Sequence, residues 1–387
     1  MIDRRTSGAV LAHVLYSNSA KGVHNCIAMA KSAMAISIDE LDTDPWLFNV
    51  INGTIDLRTG QIREHRREDF ITKLAPVRFC PDEDCPLWRT FLDRIFAGNG
   101  ELIGYMQRLV GYCLTGVTEE HILPFLYGTG ANGKSPSVET ILKLFGPDYA
   151  MKAAPDLLLA KRGESHPTDR ADLFGKRFVA CVETEEGRRM AEALTKELTG
   201  GDRIRARRMR EDFWEFVPTH HIWLAGNHKP IIFGTDHGIW RRIKLIPFEV
   251  VIPDAEQDKK LPAKLAGELS GILNWAIAGC LEWQQGGMKE PNIVQARTCE
   301  YSGEMDDVGK FIDEHCETGP GFMAAATELY RAFQEAMPDS GINQHSFGAR
   351  LRQKGFLNRD PVTGKDYRTN KGKHGWKGLR LRSEAAE

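Results

Sequence analysis

The chain has 387 residues, 42% of them hydrophobic, with 51 Lys and Arg against 53 Asp and Glu and a net charge of −2. That length exceeds one compact core and predicts two to four domains. The near-zero charge excludes a global field that drives the chain onto nucleic acid or a membrane, leaving that work to local patches. The longest apolar runs, such as Phe178–Val182, fall far short of a bilayer span and the N-terminus is charged, so the chain reads as cytoplasmic with no membrane partner. Its eight cysteines show no CxxC spacing and no matching His pairs, which argues against a zinc ribbon or finger.

Residues 1–45 mix small apolar and polar residues without sharp caps, which suggests helices and carries little chemistry. Residues 46–50 and 55–57, separated by the turns Asn52-Gly53 and Thr59-Gly60, read as short strands and hairpins. From 85 to 117 the spacing of Leu87, Trp88, Phe91, Leu92 and Ile95, and then of Leu102, Tyr105, Leu109 and Tyr112, is helical.

Next comes the apolar run 122–127, then Gly128, Thr129, Gly130, Ala131, Asn132, Gly133, Lys134 and Ser135, then a helix-like stretch from Val138 to Leu144. Strand, glycine loop and helix in that order form a P-loop pattern. Loop and helix-start N–H groups make a positive cup for phosphates, Lys134 reaches their outer oxygens, and Ser135 supplies a hydroxyl for Mg²⁺. Pro136 sits in the first helical turn, where its missing N–H costs nothing.

From 121 to 250, apolar strands at 122–127, 178–182, 222–225 and 243–248 alternate with helices and turns, the pattern of a parallel sheet covered by helices. The second of these strands ends in Glu183-Thr184-Glu185-Glu186. A carboxylate at that tip orients Mg²⁺ and the attacking water in an ATPase, or else these acids cap the next helix. Glu183 is favoured, as metal and catalytic acid, and Glu185 is held second. The third strand ends in Gly226-Asn227, where Asn227 either senses the γ-phosphate or merely forms a turn.

Between those strands lie Lys196 and then Arg203, Arg205, Arg207, Arg208 and Arg210, a concentrated phosphate-seeking patch. Alternation with Ile204 and Ala206 suits a hairpin more than a helix, with a solvated basic surface as the alternative. Arg241 and Arg242, ahead of the last strand, are either edge charges or an arginine finger.

Residues 251–300 have helical spacing. After Glu304, helices at 306–316, 326–336 and 344–354 precede basic turns and a final strand at 377–382, the outline of a winged helix. Its basic residues face few acids, and Tyr367 and Trp376 either stack on bases or pack the wing; DNA binding and protein docking both fit.

Five segments in order, GTGANGKS, GKRFVACVETEEGRRM, KELTGGDRIRARRMRED, WLAGNHKP and GIWRRIKLIPF, resemble the superfamily 3 helicases. The likeness is to the helicase region of the P4-type primases of phages and plasmids, related to the poxvirus primase-helicase. WLFNVINGTIDLRTG and CPLWRTFLDRIF are similar to the lead-in of that region, so the resemblance spans about residues 45–300. It implies an α/β fold built on an AAA+ P-loop NTPase core at 119–250. A mostly helical N-terminal domain at 1–118, a helical extension at 251–304 and a winged-helix-like basic domain at 305–387 complete the expectation.

The resemblance further implies an ATP- and Mg²⁺-dependent helicase that forms a ring, commonly a hexamer, on single-stranded or forked DNA. Lys134 and Ser135 would serve nucleotide and metal, Glu183 would be the acid and Asn227 the sensor. Arg242, with Arg241, would be the finger into a neighbouring subunit, and the stretch from Lys196 to Arg210 would supply the DNA hairpin. P4-type proteins often carry an N-terminal primase domain for which these residues leave no room, so primer synthesis is not expected and a separate primase or initiator is a partner. An ATP-controlled origin-binding loader is the alternative.

Overall fold

In the computed structural model, residues 4–154, 156–160, 167–182, 186–234, 237–338 and 340–382 are described. The chain forms two compact units. The first comprises Met1–Asp44 with His65–Lys73. Its helices Arg4–Ser17 and Ala20–Ala33 follow the expectation for this stretch, and the Ser19 hydroxyl caps the second by accepting from the Gly22 N–H at 3.0 Å. The Asp42 carboxylate accepts from the Thr72 N–H at 2.8 Å and from the Thr72 hydroxyl at 2.5 Å, which ties 65–73 back onto 1–44.

The second unit, Pro45–Glu64 with Leu74–Glu387, holds the sheets. A three-stranded antiparallel meander of Leu47–Val50, Gly53–Asp56 and Gln61–Arg63 comes first, turning where Asn52-Gly53 and Thr59-Gly60 predict. Helices Pro86–Ile95 and Gly100–Leu114 follow, the second packed along Leu269–Gly286.

The central sheet has five parallel strands in the order Ile243–Pro247, Leu123–Tyr127, His221–Gly226, Phe178–Val182, Ala150–Ala153. Four lie where the apolar runs predict. The edge strand Ala150–Ala153 was not expected: its sequence AMKA lacks β-branched residues and follows the helix Lys134–Tyr149, which breaks at Gly146 (φ 67°, ψ 176°) before Pro147. Alternation along the strands sends Leu126, Phe178, Trp223 and Ile246 to one apolar cluster and Phe125, Val179, Leu224 and Leu245 to another. Both faces are therefore covered, as all-parallel sheets require.

C-terminal to the sheet, helices Leu261–Ala266, Leu269–Gly286 and Asn292–Glu304 confirm the helical spacing there. Helices Asp307–His315, Ala326–Ala336 and Gln344–Gln353 then pack with the antiparallel strands Cys316–Ala325 and Gly375–Leu381 around Phe311, Leu329, Phe333, Phe347 and Trp376. The first of these strands was missed because its Gly-Pro-Gly centre resembles a loop. Among the described residues, no helix is long and apolar enough to cross a membrane.

Candidate nucleotide site and arginine hairpin

The glycine loop leaves the strand Leu123–Tyr127 and feeds the helix that starts at Lys134. Gly133 caps that helix at φ 88°, left-handed backbone that glycine adopts without strain. Gly128 is required by crowding: a Cβ there would lie 2.2 Å from the Phe248 carbonyl oxygen and 2.3 Å from Asn132 Nδ2. Asn132 Nδ2 donates to that same carbonyl at 3.0 Å, while its Oδ1 accepts from Lys134 Nζ at 3.1 Å. Lys134 Nζ also donates to the Gly128 carbonyl at 2.6 Å, so its ammonium is held along the inside of the loop. Lys134 is only 7% exposed, and burial pulls its pKa down to about 8. Thr129 and Ser135 are exposed, leaving the Ser135 hydroxyl at the helix start accessible.

Beside the loop lies a cavity of about 540 Å³, lined by Gly130 to Pro136 and by Asn227. Asn227 arrives there because the neighbouring strand pairs in register, Tyr127 opposite Gly226, which sets the next residues of both strands level at the carboxyl ends. Ligands of open parallel sheets bind at that end. The strand Phe178–Val182 points the same way, with Val182 opposite Ala225. Glu183 and Glu185, expected just beyond it, lie outside the described residues. Sequence reasoning missed the rest of the lining: Leu87, Phe91 and Arg94 from one helix, and Ile252, Glu256 and Leu261 from the segment after the last strand. Leu87 and Phe91 carried a helical-spacing signal, which marks a core face and says nothing of a cavity.

The arginines gather at the opposite end of the sheet. Arg242 precedes the strand Ile243–Pro247, and its carbonyl accepts from the N–H of Leu123, the first residue of the P-loop strand. Five strand residues, about 16 Å, separate that point from the loop. The two arginines differ in exposure. Arg242 is buried, its Nε donating to Thr199 Oγ1 at 3.1 Å and its Nη1 to the Gly238 carbonyl at 2.6 Å, whereas Arg241 is exposed.

The expected hairpin is present: Ile204–Ala206 pairs antiparallel with Trp214–Phe216, Arg205 opposite Glu215. Ile204, Ala206 and Phe216 point into the core, while Arg203, Arg205, Arg207, Arg208 and Arg210 are exposed. The Arg205 and Arg207 guanidiniums lie 4.5 and 4.7 Å from the centre of the exposed Phe213 ring. Lys196 precedes the hairpin in the chain, half-buried on the short helix Glu192–Leu198.

In the C-terminal module the expected free basic patch is partly neutralised. Lys354 pairs with Asp306, Arg359 with Asp366 at 2.9 Å, Lys373 with Glu328 at 2.9 Å and Arg380 with Glu317 at 2.6 Å. Arg350 is buried and donates to the Phe233 carbonyl, and Trp376 is 4% exposed, packing the module instead of presenting a face to bases.

Residues 3–97 match the family described as D5 N terminal like, and residues 126–242 match a family described as one of unknown function (DUF5906). The chain is 28% identical over 299 residues to "Putative helicase L207/L206" of Acanthamoeba polyphaga mimivirus, covering 71% of this chain and 31% of that protein. It is 23% identical over 383 residues to "Putative helicase 022R" of Frog virus 3 (isolate Goorha), covering 77% of this chain and 39% of that one. With "Putative primase C962R" of African swine fever virus (isolate Warthog/Namibia/Wart80/1980) it shares 27% over 215 residues, 54% of this chain and 22% of that one. Thus the chain spans well under half the length of these curated relatives. Among solved structures, the apo C-terminal region of NrS-1 (305–718) aligns with a TM-score of 0.49 and 12% identity, over 82% of this chain and 71% of that one. The two matched families and the helicase- and primase-named relatives make the chain similar to the D5-type primase-helicases, which are related to the poxvirus-like helicases.

Proposed function

We propose that the chain is the ATPase motor of a superfamily 3 DNA helicase with an AAA+ core, serving replication of a phage, prophage or plasmid in the bacterial cytoplasm. It works as a ring, commonly a hexamer, on single-stranded or forked DNA. The observation that carries this reading is the polarity of one sheet: a buried lysine held inside a glycine loop at its carboxyl ends, and an exposed arginine and a basic hairpin at its amino ends.

Lys134 and the loop N–H groups hold the outer phosphates of ATP, and Ser135 with Glu183 would hold Mg²⁺, which neutralises charge building on the phosphates. Glu183 or Glu185 takes the proton of the attacking water as the bond from the γ-phosphorus to its bridging oxygen breaks. Asn227, at the rim of the cavity, orients that water or the γ-phosphate. Arg241, far from its own P-loop, completes the site of a neighbouring copy, so hydrolysis is fast only in the ring. Arg203 to Arg210 grip the DNA backbone, and the C-terminal module is a winged helix that docks DNA or a separate primase. Primer synthesis is not assigned to this chain.

The test is ATP hydrolysis with and without single-stranded DNA, together with strand displacement on a fork. Stimulated hydrolysis with displacement supports the helicase, and hydrolysis indifferent to DNA counts against it. DNA binding and ring formation without displacement would favour a loader. Mixing Arg241→Ala with Lys134→Ala subunits tests the shared site; activity that falls only in proportion to each inactive fraction argues against it.

A further inference from the structure

We propose that a phosphate group binds in a second cavity, where Arg189 and the buried Arg350 meet the start of the helix Gln344–Gln353. This site stands whether or not the glycine loop holds ATP. The cavity measures about 530 Å³ and joins the core to the C-terminal module. Arg189, Phe233 and Gly234, from segments that follow two central strands, line one side, and His345, Ser346 and Arg350 line the other. No Asp or Glu stands among the described lining residues.

Arg350 is 6% exposed, and its Nη2 donates to the Phe233 carbonyl while its Nη1 has no hydrogen-bond partner among the described residues. An unused donor on a buried cation is costly, and a bound anion offsets that cost. Asp306, Asp307 and Glu192 attract this guanidinium only from farther away. Two of them are engaged elsewhere: Asp306 by Lys354 and the Gly309 N–H, Glu192 by the N–H groups of Phe233 at 2.9 Å and Gly234 at 2.8 Å. Arg189 supplies a second cation, exposed and without an ion-pair partner among the described residues. Its guanidinium lies 4.0 Å from the centre of the Phe233 ring, and that of Arg350 lies 6.0 Å from the same centre. Two like charges gathered on one ring repel, and an anion between them turns the repulsion into attraction. The helix adds backbone donors. Its cap Asn343 accepts from the Ser346 N–H at 2.9 Å, and the N–H groups of Gln344 and His345 have no acceptor within the helix. Two guanidinium forks and a helix start suit the several oxygens of a phosphate. The group arrives either as a free anion or on a nucleic acid strand.

Two probes distinguish those sources: pyrophosphate, followed by calorimetry, and single-stranded DNA, followed by anisotropy. Both are measured on the full chain carrying Lys134→Ala, which takes the glycine-loop lysine out of the comparison. The step from the unsubstituted chain to this background reads the glycine loop separately. Onto the background are added Arg189→Glu, Ser346→Glu and Arg350→Lys. Arg189 is exposed, and a glutamate at 346 sits in the first helical turn, where acids favour the helix, so both variants keep the fold. Each of the three should weaken pyrophosphate by about tenfold or more, the scale of a charge-assisted hydrogen bond. Arg331→Glu makes the same charge change as Arg189→Glu, on the helix Ala326–Ala336 away from the cavity lining, and should leave binding unchanged. A loss confined to pyrophosphate identifies a free anion, and a matching loss of DNA affinity identifies a strand phosphate. The site is overturned if neither probe responds to the three substitutions, or if Arg331→Glu costs as much.

Discussion

The carboxyl and amino ends of the central sheet both concentrate cationic side chains, and they handle charge in opposite ways. At the carboxyl end one lysine is buried, fixed by the Gly128 carbonyl and Asn132, and its proton is loosened by burial. At the amino end Arg241 and the hairpin arginines stand in water. A buried cation is a positioned point charge in a low local dielectric, suited to acting on one phosphate. Exposed arginines are screened by water and salt, suited to tracking a polymer of phosphates whose affinity falls with salt. The strand His221–Gly226 joins the two ends, since the chain enters it from the hairpin and leaves it at Asn227.

The contrast breaks first at Lys134. Lys134→Ala should reduce ATP hydrolysis by about a hundredfold or more, in phosphate-release assays, because the preorganised charge on the outer phosphates is gone. DNA affinity at fixed salt should hardly move. Comparable loss of both would mean that the two ends do not act separately. Next in size is the double reversal Arg205→Glu/Arg207→Glu. With both guanidiniums withdrawn from the phosphates of a single strand, affinity should fall roughly twenty-fivefold at 0.1 M salt and the salt slope should shrink by about 1.4. DNA-free ATP hydrolysis should stay intact, and an unchanged slope in salt-dependent anisotropy would remove these arginines from the interface.

A pH titration sharpens the buried side. Lys134 titrates near 8 in the folded chain, below its ordinary 10.5, so the stability its neutral form contributes is full above 10.5 and lost as pH falls through 8. Triphosphate binding runs the other way because the anion favours the ammonium. Affinity for a non-hydrolysable ATP analogue should be full below pH 8 and fall about tenfold by pH 9, measured calorimetrically. Lys134→Arg should flatten that dependence, and a wild-type curve already flat would mean the ammonium is not what the phosphates meet.

Much of both ends was legible in the sequence, because each rests on local order. Gly128 to Ser135 follows an apolar strand, and the alternation of Ile204 and Ala206 with arginines encodes a hairpin with one wet face. What escaped depends on distant contacts. Arg241 and Arg242 are identical in type, and only Thr199 and the Gly238 carbonyl decide which turns inward. The cavity walls come from Leu87 to Arg94 and from Ile252 to Pro262, too far apart in sequence for any short pattern to join them. In the C-terminal module the basic residues looked free because their acids, such as Asp306 and Glu317, lie on other elements. The edge strand Ala150–Ala153 owes its conformation to pairing with Phe178–Val182, against its own propensity.

The finest test separates charge from shape at the hairpin. Phe213 is 46% exposed and carries two guanidiniums on its ring, so it fixes where Arg205 and Arg207 point without adding charge. Exposed cation–π contacts are worth about 0.5–1 kcal/mol. Phe213→Ala should therefore weaken single-stranded DNA binding by only about twofold to fivefold, through arginines freer to wander before they meet a phosphate. The slope of affinity against salt should stay that of the wild type, since the same phosphates are neutralised. A loss well above tenfold with the slope preserved would show the ring itself stacking on a base. A loss accompanied by a smaller slope would show that the ring is needed to bring the arginines onto the backbone at all.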